Sequence, residues 1–395
     1  MLPPQYCFSA PNLLMTPAMI ARQPETVTLD ATGRAWPPAS DLLPDAGVME
    51  RTSALHERIR DVVPEAEWPL HAPLVDAINR LKRERNAIIL AHNYMTPEIF
   101  HCVGDITGDS LKLAQVAAEA EEDVIVQAGV HFMAETAKIL SPEKTVLIPD
   151  LDAGCSLAES ITGEDVRQIR AAYPDYPIVT YVNTSAEVKA ESDICCTSSN
   201  AVAVVEAIAA RRGTDTVIMI PDQFLAHNVA SQTDIRILTW KGECEVHEKF
   251  TREEIEQLRS EHPDAVIITH PECPPEVLWA SDFSGSTGAM AAFITENRPA
   301  KAILITECSM SDNVAALNPG TRFIRPCNLC PHMKRITLKG IYDALRELKH
   351  EVKVDEETAR RARKSLRAML DLPSSGPPPA FDTSREGKPA DFVRV

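Results

Sequence analysis

The segments AIILAHNY (87–94), PIVTYVN (177–183) and AVIITHPE (265–272) decide the fold. Each is a short β-branched run ending in polar residues, and His92, Tyr181 and His270 hold the same place in the three, each step being 89 residues. A small-residue turn follows and opens a helical stretch: TGDS before LKLAQVAAEAEE, CTSSN before AVAVVEAIAARR, SGST before GAMAAFITENR. Ser110, Ser198 and Ser286 recur in these turns at steps of 88. Next comes a buried-type strand (DVIVQAG, TVIMIPD, AILITEC), then a second helix (HFMAETAKIL, QFLAHNVA, SMSDNVAAL). Each third closes with a strand and a cysteine, in TVLIPDLDAGC, RILTWKGEC and RFIRPCNLC, at Cys155, Cys244 and Cys330. Internal repetition of this kind predicts repeated structural units. Apolar runs suited to strands buried on both faces, alternating with helices, predict parallel sheets with right-handed crossovers. The expected fold class is α/β: three homologous parallel-sheet domains in a pseudo-threefold arrangement around a central site. One long doubly wound sheet is the alternative, and the shared ending of each third favours three modules.

Outward from the repeat, the expected division is an N-terminal arm at 1–69 with one helix near 48–63, then α/β domains at 70–157, 158–246 and 247–332. A C-terminal helical segment at 333–370 and a tail at 371–395 complete it; both ends are Pro-rich. The charges, 40 basic against 57 acidic for a net −17, argue against nucleic acid as the partner, because phosphate contacts need surplus Lys and Arg. A few local donors still suffice for a small anion in a pocket. No run approaches 18 uninterrupted apolar residues, so no membrane span is expected. Arg22 is the only base among the first 23 residues, so a signal peptide is not expected either. The 10 cysteines then read as reduced thiols of a cytoplasmic protein and not as a disulfide framework.

In open α/β sheets ligands bind beyond the carboxyl ends of the strands, near helix N-termini. The repeat places polar residues there three times: His92, Asn93 and Tyr94; Tyr181 and Asn183; His270 and Glu272. The helix starts add Ser110, Ser198, Ser199, Ser286 and Thr287; Ser110, Ser198 and Thr287 also suit plain N-caps. Facing one another across a central axis, these sets converge on one pocket fit for a substrate with several carboxylates or a phosphate. Glu272, at a strand end beside His270, is the candidate for proton transfer. His131, His227 and His247 have no repeat partner and are assigned no role.

A lone cysteine is more often a small core residue than a ligand, and that reading is kept for Cys102, Cys195, Cys196, Cys273 and Cys308. Cys155, Cys244 and Cys330 differ because the repeat delivers one per module. Three thiolates suit an iron–sulfur cluster with one iron left open; zinc with three cysteines and water competes. Spacing leaves Cys327 or Cys330 as the third ligand, with Cys330 closer to the period.

The segments AHNY, GDSL, VHFMAETAK, PDLDAGCSLAES, YVNTSAEVKAESD, CTSSNA, GECEVHEKF, HPEC, GSTGAM and CNLCPHMK, spread over 85–340, resemble quinolinate synthase of the A type. The resemblance implies a transferase of NAD and pyridine nucleotide biosynthesis. Its reaction condenses iminoaspartate with dihydroxyacetone phosphate to quinolinate, with loss of phosphate and two waters. It implies a [4Fe–4S] cluster on Cys155, Cys244 and Cys330 with an open iron acting as Lewis acid, and functional coupling to L-aspartate oxidase. The implied substrate pocket takes His92, Tyr94, Ser110, Phe132, Met133 and Tyr181 from the first half. From the second it takes Asn183, Ser198, His270, Glu272, Ser286 and Thr287. Tyr94, Glu272, His92 and His270 are the implied catalytic residues, with Tyr94 and Glu272 moving protons. Some members carry a third nearby cysteine for a thiol switch; here only Cys327 and Cys330 stand. Two other readings are an aconitase-like Fe–S hydro-lyase on another small polyacid, and a non-catalytic Fe–S or zinc sensor. The first would need no triose phosphate, and the second would not require the strand-end His, Tyr and Glu.

Overall fold

The structure, a computed structural model, describes residues 35–372 and 390–394. The expected arm before residue 35 and the tail over 373–389 lie outside the described residues. Two helices, α1 (Ala46–Ile59) and α2 (Trp68–Glu84), precede the first sheet, and an Arg51–Asp76 ion pair at 2.8 Å ties them together. The first module runs β1 (Ala87–His92), α3 (Pro97–Phe100), β2 (Ile106–Gly108), α4 (Ser110–Glu119), β3 (Val124–Ala128), α5 (His131–Leu140) and β4 (Thr145–Leu147). The second begins with α6 (Ser156–Glu159) and α7 (Gly163–Ala172). It continues through β5 (Ile178–Tyr181), α8 (Ala186–Glu191), β6 (Ile194–Cys196), α9 (Ala201–Arg212), β7 (Thr216–Ile220), α10 (Gln223–Ala230) and β8 (Arg236–Thr239). The third runs α11 (Arg252–Glu261), β9 (Val266–Thr269), α12 (Pro275–Trp279), β10 (Phe283–Ser284), α13 (Thr287–Asn297), β11 (Lys301–Ile305), α14 (Cys308–Leu317) and β12 (Arg322–Ile324). Helices α15 (Leu338–Glu347) and α16 (Glu356–Leu370) follow, and a short strand β13 (Asp391–Phe392) joins the β8 edge.

The sheet orders are β2-β1-β3-β4, β6-β5-β7-β8 and β10-β9-β11-β12, one topology built three times with every pairing parallel. The chain is thus three α/β domains. Every residue of the central strands β3 and β7 is buried, which is why those runs carry no polar alternation. The sequence pattern predicted three strands per module, and the structure has four. The extra edge strands β2, β6 and β10 span two or three residues each, too few for a periodic signal.

Each edge is fastened in the same way. Asp105, Asp193 and Asp282 stand before the edge strands, and each accepts the backbone N–H of Ile89, Ile178 or Ile267 at 2.8 Å. A cation pairs with each acid: Lys82, Arg170 with Arg212, and Arg259. The helices that lead into β5 and β9 both start with a capping box, Thr162 with Asp165 and Thr251 with Glu254.

The modules close into a ring through side chains that satisfy a neighbour's backbone. Asn228 donates to the carbonyls of Pro271 (2.7 Å) and Cys273 (3.1 Å), so the second module holds the strand end of the third. Asn313 donates to Asn93 (3.0 Å) and Met95 (2.7 Å), repeating that contact from third to first. Glu135 accepts the Ala186 N–H at 3.0 Å, from first to second. Helix α16 adds Arg363 to the Ile139 carbonyl (2.6 Å) and Ser365 to the Lys189 carbonyl (2.7 Å), bracing the first two modules together.

Asp193 lies below its ordinary pKa: burial alone would raise it, but the Ile178 N–H and the Arg170 and Arg212 guanidinium groups prevail. Its contribution to stability is present above the unfolded-chain pKa, near 3.9, and is lost as pH falls through the lower folded value. Asp193→Ala strips the Ile178 N–H of its acceptor and is expected to cost about 1–3 kcal/mol in chemical denaturation at neutral pH. The gap from the parent should narrow in increasingly acid buffer, and an unchanged midpoint at neutral pH would count against the assignment.

Candidate active site

The carboxyl ends of β1, β5 and β9 face one pocket that is partly open to solvent. The first module lines it with His92, Tyr94, Ser110, Phe132 and Cys155. Tyr181, Asn183, Ser198 and Cys244 come from the second, and His270, Glu272, Thr287 and Cys330 from the third.

The three cysteine loops are pinned alike. The carbonyl two residues before each cysteine accepts the first N–H of α5, α10 or α14. His131 N–H bonds Ala153 (2.7 Å), Gln223 N–H bonds Gly242 (2.8 Å) and Cys308 N–H bonds Asn328 (3.3 Å). Glycine is needed at 242 because an added Cβ would sit 2.6 Å from the Pro221 carbonyl oxygen. Each sulfur then accepts the backbone N–H groups two and three residues on: Leu157 and Ala158 for Cys155, Val246 and His247 for Cys244, His332 and Met333 for Cys330. Burial pushes the Cys155 thiol up to about 12 and Cys330 to about 11, and raises Cys244 well above the usual value. These N–H pairs oppose the rise by favouring thiolate. Paired N–H donors on three convergent sulfurs fit a metal cluster, whose ligands are thiolates tuned by such bonds. Between loops, the Ser156 hydroxyl joins the Glu243 carbonyl and the Glu245 N–H, both at 3.1 Å, and His332 pairs with Glu245 at 2.9 Å.

His92 and His270 each accept, on Nδ1, the backbone N–H two residues on, from Tyr94 (3.2 Å) and Glu272 (3.4 Å). The neutral ring then carries its proton on Nε2 as a donor, which at His270 lies 3.4 Å from the Ser198 hydroxyl. Burial lowers their pKa values to about 4 and about 3, so both rings are neutral at pH 7. Glu272 accepts from the Tyr181 hydroxyl at 2.5 Å on one oxygen and faces His247 Nδ1 at 2.7 Å on the other. Burial alone would raise its pKa, but the imidazoles of His270 and His247 and the Tyr181 hydroxyl outweigh it, holding the carboxyl well below its usual range. On the far side of His247, Nε2 lies 2.9 Å from the Thr306 hydroxyl, which lies 2.6 Å from the Tyr94 hydroxyl. With Nδ1–H donating to Glu272, Thr306 donates to Nε2 and Tyr94 to Thr306. One hydrogen-bonded chain therefore joins Tyr94 to Glu272 across the cavity. Burial, first, and the nearby Glu272 charge raise both tyrosine pKa values well above normal, keeping the phenols protonated.

Residues 76–371 match the family model described as quinolinate synthetase A protein. The chain belongs to that family. It is 59% identical over 332 residues to the quinolinate synthase of Caulobacter vibrioides (strain NA1000 / CB15N), covering 84% of this chain and 90% of the relative. The quinolinate synthase of Agrobacterium fabrum (strain C58 / ATCC 33970) is 59% identical over 330 residues, covering 83% and 94%. The Xylella fastidiosa (strain 9a5c) quinolinate synthase is 61% identical over 296 residues, covering 75% and 86%. This chain is accordingly an enzyme of the quinolinate synthase kind.

Within this family member, two pocket candidates sit off the main cavity. Met133 lines a small apolar cavity behind Ser110 and Phe132. Ser286 caps α13 through the Ala289 N–H at 3.3 Å and donates to Asp109 at 3.2 Å. The capping expectation fails at Ser110, Ser198 and Thr287 alike: Asp109 caps α4, Asn200 precedes α9, and Ser286, one residue before Thr287, caps α13. Asn93 spans modules to Thr287 Oγ1 at 2.8 Å, and Ser199 bonds Thr197 at 2.7 Å.

Two expectations are corrected. His247, given no role, stands 1% exposed at the centre of the site; its only signal was position 3 after Cys244, which the repeat does not share. Cys308 is no lone thiol: it forms a disulfide with Cys327, so the reading of every cysteine as reduced fails at this pair. Strands β11 and β12 lie side by side, and the Glu307–Asn328 bridge beyond them brings the two Cα atoms to 5.0 Å, a proximity that C-x-x-C spacing hides. Cys330 stays free.

The Cys330 loop has a further anchor. Buried Glu307 accepts the Cys330 N–H and faces Lys334 Nζ at 2.8 Å, and Lys334 also donates to the Tyr94 carbonyl (2.9 Å) and the Ser309 hydroxyl (2.6 Å). Lys334→Met strands a buried carboxylate and should destabilise by about 3–5 kcal/mol in denaturant titration. Adding Glu307→Gln should recover part of that loss; strictly additive losses would refute the coupling.

Proposed function

We propose that this enzyme makes quinolinate by condensing iminoaspartate with dihydroxyacetone phosphate, releasing phosphate and two waters. The observation that carries the reading is the set of three sulfurs, Cys155, Cys244 and Cys330, each with its pair of backbone N–H donors, at one wall of one cavity. These residues would hold a [4Fe–4S] cluster. When bound, it would supply an open iron as Lewis acid, easing loss of hydroxide from carbon without electron transfer.

The chain's own residues do the rest. Neutral His92 and His270 present Nε2–H donors to carboxylates, and the Asn183 amide orients a further one. Phosphate meets the Ser110, Ser198 and Thr287 helix starts, where unpaired N–H groups and the helix dipole favour an anion. No side chain caps α9, so its first N–H groups stay available. Ionised Glu272 accepts a proton from the substrate carbon or nitrogen, and Tyr94 returns one to a departing hydroxyl. The Thr306–His247 chain between them lets the two change protonation together. Holding both reactants in one pocket supplies the proximity a condensation demands. The modules serving this site span 70–157, 158–246 and 247–332. Iminoaspartate would come from L-aspartate oxidase, and the setting is cytoplasmic; among the described residues no helix is long and apolar enough to cross a membrane.

Anaerobic purification should give roughly four iron and four sulfide per chain; one zinc without sulfide would overturn the cluster. Cys244→Ser should abolish iron retention. Glu272→Gln should keep the iron and lose turnover by about 100-fold or more. Product formed without triose phosphate would instead indicate a hydro-lyase. Thr306→Val should keep the iron too and lower kcat by about tenfold with little change in KM. Full activity in that variant would remove the proton chain from the mechanism.

A further inference from the structure

We propose that Cys244, His247 and Glu272 form a mononuclear site for a borderline-soft divalent cation, zinc above all, in the chain that lacks its cluster. Their donor atoms, Sγ, one imidazole nitrogen and one carboxylate oxygen, all lie within 4.8 Å of one another. His247 Nδ1 is 3.2 Å from the Cys244 sulfur and 2.7 Å from the nearer Glu272 oxygen. Tetrahedral zinc, with Zn–S near 2.3 Å and Zn–N or Zn–O near 2.0–2.2 Å, sets donors roughly 3.3–3.6 Å apart. The sulfur–nitrogen edge is already near that length, and the nitrogen–oxygen edge opens by less than about 1 Å.

Charge also balances. A thiolate and a carboxylate neutralise a 2+ ion, so a buried site is left without net charge. On binding, the cation replaces the thiol proton of Cys244, which goes to buffer, and the neutral His247 ring changes tautomer, its single proton leaving Nδ1 for Nε2. The ring then carries its proton on Nε2 and donates it to the Thr306 hydroxyl, 2.9 Å away. Tyr181 at 2.5 Å and Asn183 at 3.5 Å hold the other Glu272 oxygen. Metal-binding histidines and carboxylates characteristically have such partners behind them, and here every one is in place before any ion arrives. The fourth position opens to the cavity that all three residues line.

Because Cys244 is also a proposed cluster ligand, the two occupants exclude each other. Zinc exceeds ferrous iron in affinity for a common N/O/S donor set. Zinc seated here would therefore block cluster assembly and lock the carboxylate that moves protons.

The experiment uses the full-length chain, cluster-free, reduced and anaerobic, titrated with Zn²⁺ alone against a chromophoric chelator, with zinc K-edge absorption to count donors. One zinc per chain with a single sulfur and nitrogen or oxygen for the rest is expected. His247→Ala and Glu272→Gln should each weaken binding by roughly tenfold or more, since loss of even an outer partner costs that much. Cys155→Ser, which spares all three donors, should bind zinc as the parent does, and the melting curves of the variants report that each is folded. Two or three sulfurs in the spectrum, or abolition of binding by Cys155→Ser, would place the ion among Cys155, Cys244 and Cys330 and overturn the proposal. Iron and sulfide counts after zinc-free reconstitution test the cluster separately, so either reading can fail without the other.

Discussion

Three sulfurs must reach one point from places some 90 residues apart in the chain, and the backbone does the placing. At each cysteine the same two following N–H groups turn onto the sulfur, and the same preceding carbonyl is tied to the start of a helix. A side-chain network could be lost by one substitution. A backbone turn repeated by a repeated fold is far harder to lose, because it follows from strand, helix and loop lengths. The ring of Asn228, Asn313 and Glu135 contacts converts three separately correct loops into one correct site, since two fix a strand end of the next module and the third fixes the start of α8. Precision at the sulfurs thus rests as much on hydrogen bonds that never touch them as on the N–H groups that do.

Electrostatics in the cavity run opposite to the molecule as a whole. A chain of net charge −17 would repel polyanions at long range. Inside, the donors are dipoles and neutral N–H or O–H groups: two imidazoles kept uncharged by burial, two phenols kept protonated, and helix starts. Neutral donors bind an anion without requiring a buried cation when the site is empty. Lys334, a half-buried cation beside the Cys330 loop, is already committed to Glu307 and to the Tyr94 carbonyl.

What the sequence made legible is what the repeat preserved. The strands β1, β5 and β9, the central strands and the three sulfurs were readable because burial on both faces forces apolar runs and because the period survived. The Asp105, Asp193 and Asp282 fastenings keep the same period without a distinct signal, since an acid beside a two- or three-residue strand looks like any loop acid. His247 and Thr306 could not be read from repetition at all. Their importance comes from meeting Glu272 and Tyr94 across module boundaries, a relation with no trace in spacing. The Cys308–Cys327 pair is hidden for the same reason: strand adjacency, not sequence separation, makes it.

Triplication fixes where groups stand, and divergence between copies decides what they do. Positions 94, 183 and 272 are equivalent, two residues past the strand-end positions 92, 181 and 270, and they hold a phenol, an amide and a carboxylate. A strict threefold site with three carboxylates would bring like charges together in a buried space, and their pKa values would be driven upward until none served as a base. With one carboxylate kept, flanked by hydroxyl and imidazole donors in place of its siblings, the charge stays ionised and has a direction. The strand-end series diverges in the same sense: two histidines give Nε2–H to the cavity, whereas the Tyr181 hydroxyl is spent on Glu272. The threefold frame therefore supplies a pocket with six addressable strand-end positions, and only the loss of symmetry among their side chains turns it into a catalyst with one acid, one base and a defined path between them.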